Sequence, residues 1–391
     1  MDYAKAKKLD MAIIFIFLAL FPFGQLLKMT IQPIDLAVGL AFIYTILRLR
    51  SGPSVFSVRK LKAFGVLKNF LLAALFSFLF SLFIFKTGPF IIGFFYLLRL
   101  TFYLYFLLFV YNFVRGFKVK KDLLFNGLIA VSFFSAIFGW VQYFWFPDFR
   151  PFTVFGWDDH LYRLVGTFLD PGFTSIVVVL GIMAALYKYI SSKNKKLVFL
   201  LAFLLLSLAF TYSRAGYLSF FAGAVYLAIS EKKMKEIMLM LAAFLFIVLA
   251  LPRPAGEGVK LERTASTGAR LINYSQALKI IRKSPVFGIG FNNLCLAKET
   301  FFANNGQGSH SCSGLDSSLL LILATTGVVG FMIFIRCLVS LLPLIAAKTI
   351  YGKVFFSSLM ALFIHSLFVN SLFYPWVMGW MAMLLAVSLK E

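Results

Sequence analysis

The chain has 391 residues, 61% of them hydrophobic and only 14% charged. A soluble domain carries about 45–50% apolar and about 25% charged residues, so this composition excludes a soluble enzyme, a disordered chain, a coiled coil and a disulfide scaffold. The excess of 38 Lys+Arg over 15 Asp+Glu comes with no nucleic-acid-binding motif and reads as membrane topology, basic loops staying in the cytoplasm against anionic lipid.

The pattern predicts an all-α, polytopic integral membrane protein, a single membrane domain over 1–391. Apolar runs bounded by charges or turn signals give about twelve spans, each near the ~20 residues a bilayer requires. They fall at 11–27, 31–47, 69–87, 89–113, 123–146, 171–190, 197–212, 214–230, 236–251, 316–342, 354–371 and 373–389. Lys5, Lys7 and Lys8 precede the first run, which lacks a small-residue cleavage site and reads as a retained signal anchor. Most of the basic residues then cluster on one side: Lys5 to Lys8, Arg48 to Lys68, Arg115 to Lys121, Lys188 to Lys196, Lys232 to Lys235, Lys348 with Lys353, and Lys390. The positive-inside rule makes that side cytoplasmic, with both termini on it.

Two external loops are long, at about 147–170 and 252–315. Long loops in a compact protein are usually functional or disordered. Within the second, Leu271, Tyr274, Leu278 and Ile281 recur at helical spacing opposite Arg270, Asn273 and Lys279, an amphipathic helix able to lie on the membrane or cap a site. Pro285 stops it, and Gly288 and Gly290 predict a flexible turn.

The polar chemistry gathers on this external face. Arg150, Asp158, Asp159, His160, Arg163 and Asp170 lie in the first loop, and Arg253, Arg263, Arg270, Arg282, His310 and Asp316 in or beside the second. Asp170 before Pro171, Ser213 before Arg214, and Asp316 or Ser317 are N-cap signals for three spans that run inward. Helix N-termini with arginines make an anion site, and the guanidinium fork suits phosphate oxygens. Plainer roles exist: Arg214 can snorkel, Arg270 can belong to a solvated face, and Asp170 and Asp316 can be caps only. His160 beside Asp158 and Asp159 lacks a second His at ligand spacing, so no metal is expected. Arg99 stands inside a span, either functional or paired with a carbonyl, and Arg336 snorkels at the inner end. Cys295 and Cys312 share the long loop, as a disulfide or as two thiols.

Four segments together resemble the O-antigen ligase and O-antigen polymerase superfamily of envelope glycosyltransferases. They are Arg163 through Gly166 to Asp170 and Pro171; Thr211 through Ser213 and Arg214 to Gly216; Arg270 with Tyr274, Ala277 and Pro285 to Gly290; and His310 through Asp316 and Ser317 to Gly327 and Gly330. His365 to Asn370 is a weaker fifth. The resemblance implies a metal-independent, inverting glycosyltransferase of GT-C type, without cofactor. Its donor would be a glycan on undecaprenyl diphosphate, its acceptor lipid A–core or another glycan, with membrane lipid around it and no nucleic acid. Arg214 and Arg270 would hold the diphosphate, with Arg163 a third. Ligases place a basic His eleven residues before the first Gly of a G-x-x-G; here that position is Asp316, with His310 six residues earlier. The base is therefore His310 or Asp316, and ligase and polymerase both stay open. The rival readings are a transporter, which would show broken helices and midplane polar groups, and a non-enzymatic assembly partner.

Overall fold

The computed structural model describes residues 3–26, 32–50, 61–85, 90–155, 157–302, 312 and 314–390. Among them it is all-helical, without a strand. In chain order the helices are α1 (Tyr3–Leu20), α2 (Pro33–Arg50), α3 (Lys62–Ile84), α4 (Ile91–Gly116), α5 (Lys121–Trp145), α6 (Pro171–Ser192), α7 (Lys196–Phe210), α8 (Arg214–Ser230), α9 (Met234–Ala250), α10 (Ala265–Lys283), α11 (Leu294–Phe302), α12 (Ser318–Leu341), α13 (Ile350–Ser366) and α14 (Pro375–Ser388). Every predicted span overlaps one of these helices; α10 and α11 are the additional two. Five helices (α3, α4, α5, α6 and α12) are long and apolar enough to cross a membrane by length and composition, and α7, α13 and α14 are shorter apolar helices.

The middle of the bundle is α6. Its residues Thr174 to Tyr187 are all buried, as a helix apolar on every side must be. Around it stand α5, α7, α8 and α13, while α4 packs on α2 and α14, and α3 runs along α12. The close approach of α8 to α13 depends on Gly223, where an added Cβ would stand 3.1 Å from the Ser357 carbonyl oxygen. Arg99 is paired, but with a carboxylate rather than a carbonyl: its Nε and Nη2 reach Asp35 Oδ2 at 2.9 and 2.5 Å, and Tyr103 donates to Asp35 Oδ1 at 3.1 Å. This neutralised cluster ties α4 to α2, which is the structural use of an intramembrane charge.

Two expectations for residues 265–291 need correction. The amphipathic helix exists as α10, but its inward face matches the predicted one only in part: Tyr274 and Ile281 turn inward and Lys279 outward as expected, whereas Leu271 and Leu278 do not face the protein. Ala277 and Ile280 are buried and Asn273 and Tyr274 half-buried, whereas Leu271 (63% exposed), Ile272 (64%) and Leu278 (50%) point away from the protein. The inward face combines Ala277, Ile280 and Ile281 with two residues that grip a neighbour: Asn273 Oδ1 accepts from the Asp316 amide at 3.0 Å, and Tyr274 donates to the Leu367 carbonyl at 2.8 Å. The outward Leu and Ile then form the kind of apolar stripe an interfacial helix lays on lipid.

The turn after α10 is not flexible. α12 is broken at Gly327 (φ 65°, ψ −173°), and residues 285–289 fill the break. Val328 and Val329 amides donate to the Pro285 and Val286 carbonyls at 2.9 and 3.1 Å, and the Ile289 amide donates to Ala324 at 3.1 Å. Ser77 on α3 bridges the Phe287 and Thr325 carbonyls at 2.7 and 2.6 Å. Gly288 (φ 72°) leaves no room for a side chain: an added Cβ would stand 2.4 Å from the Thr325 carbonyl. Gly288→Ala is therefore expected to cost about 1–3 kcal/mol from strain alone. Gly65→Ala, where an added Cβ meets nothing within 4 Å, is the matched control; unfolding temperatures in detergent compare the two.

Candidate functional site

Three helices start at one end of the bundle, each with its N-terminus capped by a side chain. Asp170 Oδ1 accepts from the Phe173 amide at 2.7 Å, Ser213 Oγ from Gly216 at 3.2 Å, and Ser317 Oγ from Leu320 at 3.4 Å. The caps converge on the end of α13. Ser175 Oγ lies 3.1 Å from Ser213 Oγ and 3.5 Å from His365 Nε2, and Ser317 donates to the Ser366 carbonyl at 3.2 Å. The positive ends of the α6, α8 and α12 dipoles are thereby gathered in one place.

Four arginines surround that place. Arg163 is buried, its Nε donating to the Thr211 carbonyl at 3.0 Å and its Nη2 to Tyr212 at 3.3 Å. Arg263 donates to the same Tyr212 carbonyl at 3.1 Å and to Lys260 at 2.8 Å. Tyr212 takes a left-handed conformation (φ 49°), and its carbonyl oxygen serves both guanidinium groups. Arg214, the first residue of α8, reaches over to the start of α10: Nη1 donates to the Leu261 and Arg263 carbonyls, both at 3.2 Å, and Nη2 to Ser266 and Thr267 hydroxyls at 2.8 and 3.1 Å. Arg270, half-buried on α10, makes no hydrogen bond or ion pair among the described residues. Burial, and after it the charges of Arg214 and Arg270, push the Arg263 guanidinium down to about 10. Burial and the charge of Arg263 push Arg163 down to about 9. Cations that depress one another in this way make a site that welcomes an anion.

Asp316 completes the group. Its backbone is held by Asn273 and Tyr274 of α10. Burial raises its carboxyl above the ordinary carboxylate range, and the nearby charges of Arg270 and Lys298 oppose the rise. The other candidate base, His310, lies outside the described residues. Cys295 on α11 and Cys312 are joined by a disulfide, Cα atoms 4.9 Å apart.

The structure thus brings Arg163, Arg214, Arg270 and Asp316 together. Nothing in the sequence pattern singled out Arg263 from the other basic residues of its loop, because its role depends on one carbonyl 51 residues away. A further grouping joins them: Asp158, His160 and Asp170 present ligand atoms within 4.8 Å of one another. Of the described residues these could hold a metal ion. His160 is buried, its Nε2 3.9 Å from Asp170 Oδ2 and its Nδ1 3.5 Å from Arg163 Nη1. Burial and Arg163 push its imidazole down to about 3, and burial pushes Asp170 up to about 6. The guanidinium of Arg163 already supplies positive charge beside these groups.

Residues 197–335 match the family model described as O-antigen ligase. The matched residues make up about a third of the chain, and the match supports the O-antigen ligase/polymerase superfamily. Among curated proteins none matches the chain. The matched segment runs from α7 into α12 and includes Arg214, Arg263, Arg270 and Asp316. Arg163, His160 and Asp170 precede it, and His365 follows it. The five long apolar helices are consistent with a membrane protein.

Proposed function

We propose that this protein is a metal-independent, inverting membrane glycosyltransferase of GT-C type that moves a glycan from undecaprenyl diphosphate to an acceptor hydroxyl, on lipid A–core or on another glycan. The observation that carries the reading is the convergence of three capped helix N-termini with Arg163, Arg214, Arg263 and Arg270 inside and beside the segment that matches the O-antigen ligase family model. On this reading the chain is one domain of about twelve spans in the inner membrane. Residues 147–170 and 252–315 lie on the external face, and both ends of the chain are cytoplasmic.

The donor diphosphate sits under Arg270 and Arg214, with Arg163 behind them. A base, Asp316 or His310, takes the proton of the acceptor hydroxyl as its oxygen attacks the anomeric carbon. The bond from that carbon to the diphosphate breaks on the opposite face, and undecaprenyl diphosphate leaves. Charge growing on the leaving oxygen meets the guanidinium groups of Arg270 and Arg214 and helix ends that their caps hold in place.

The test is a product assay with an undecaprenyl-diphosphate-linked oligosaccharide in EDTA, with and without lipid A–core. A ladder of longer lipid-linked glycans without added acceptor identifies a polymerase. Transfer only with lipid A–core identifies a ligase. A folded preparation that releases no undecaprenyl diphosphate in either case rejects the transferase and leaves the transporter.

A further inference from the structure

A groove of about 690 Å³ opens between α3 and α12, a size at which small molecules are commonly held. Its walls are apolar along most of their length, from Phe287 and Phe76 past Val329, Ala73 and Ile333, and Arg336 stands towards the far end. Phe287 belongs to the segment that fills the break in α12, so the upper end of the groove is closed by tightly bonded backbone. At the lower end Cys337 Sγ donates to the Val66 carbonyl at 3.1 Å, which fixes Arg336 beside the start of α3. Lys62 and Lys68 are exposed on that same end of α3.

Arg336 is exposed and, among the described residues, makes no hydrogen bond or ion pair. An unpaired guanidinium at the mouth of an apolar groove calls for an anionic head on an apolar chain. The dimensions agree. Arg336 lies ten residues beyond Thr326 at the groove's upper end, which at ~1.5 Å per residue is about 15 Å. That is half of the ~30 Å hydrocarbon core, the depth of one leaflet. We infer that the α3–α12 groove binds one phospholipid of the leaflet opposite the arginine cluster, its phosphate on Arg336 and one acyl chain running up to Phe287. The donor lipid does not meet these constraints, because its diphosphate must reach Arg270 at the other end of α12. The inference rests on reading α3 and α12 as membrane spans and does not require the transferase reading.

The full chain in mild detergent, after extensive washing, is examined by native mass spectrometry for retained lipid. Wild type is expected to keep about one phospholipid per chain. Arg336→Gln should lower retention about tenfold or more, the loss of one charge-assisted contact. Ala73→Trp, which fills the groove without touching the charge, should lower it as well. Arg336→Lys keeps the charge and should keep most of the lipid, so that the Gln and Lys variants together separate the phosphate contact from folding. Phospholipid retained equally by Arg336→Gln and Ala73→Trp overturns the inference. So does a wild type that retains none, or one that retains a polyprenyl phosphate instead. The product assay is scored independently, so the failure of either reading is visible without the other.

Discussion

Arg270→Ala is expected to lower glycan transfer by about 10²–10³, or ~2.7–4 kcal/mol of transition-state stabilisation, the usual loss when one preorganised donor to a developing anion is removed. The fold should be unaffected, because Arg270 makes no hydrogen bond or ion pair among the described residues. Its removal also relieves Arg263, whose guanidinium is depressed partly by the charge of Arg270. Arg270→Lys should recover only part of the rate, since a point charge does not reproduce the two-pronged fork. The measurement is single-turnover release of undecaprenyl diphosphate with saturating acceptor, with unfolding temperature recorded in parallel. Wild-type turnover in Arg270→Ala would remove the diphosphate site from its proposed place.

Asp316→Asn should cost about 10²–10⁴ in rate if this carboxylate is the general base. The sign of its pH dependence follows from its surroundings. Burial holds the folded carboxyl above its ordinary value, and only the ionised form can take a proton. The rate should therefore rise with pH through a limb lying above about 4, the value of a free aspartate. Arg270 opposes that shift, so the residual activity of Arg270→Ala should show the limb at still higher pH. His310→Ala is the counterpart. If Asp316→Asn turns over normally while His310→Ala does not, the histidine is the base and the carboxylate is only part of the approach to α12.

Much of the architecture was legible because apolar runs and basic loops report directly on long helices. Asp170, Ser213 and Ser317 were readable as caps because cap chemistry is local, spanning three residues. Arg214 and Arg270 were readable through the segments around them. The outward turn of Leu271 and Leu278 on α10 was not. Helical periodicity places the apolar stripe only approximately, and here Leu271 and Leu278 face outward while Tyr274 and Ile281 of the same stripe face the protein beside Asn273. The break at Gly327 was equally hidden, since its broken hydrogen bonds are satisfied by residues some forty positions earlier. Arg263 and the Asp158, His160 and Asp170 grouping depend on chain segments meeting in space, which spacing along one segment does not encode.

Arg214 has a consequence for how the site opens. All four of its hydrogen bonds go to residues 261–267 at the start of α10. The other end of α10 is anchored through residues 285–289 to α12. An anion that takes the Arg214 donors competes with this latch, and the competition is reciprocal: whatever tightens one weakens the other by the same free energy. If the proposed diphosphate site is right, loading it and freeing the leading end of α10 are coupled, with Arg214 as the exchanged partner.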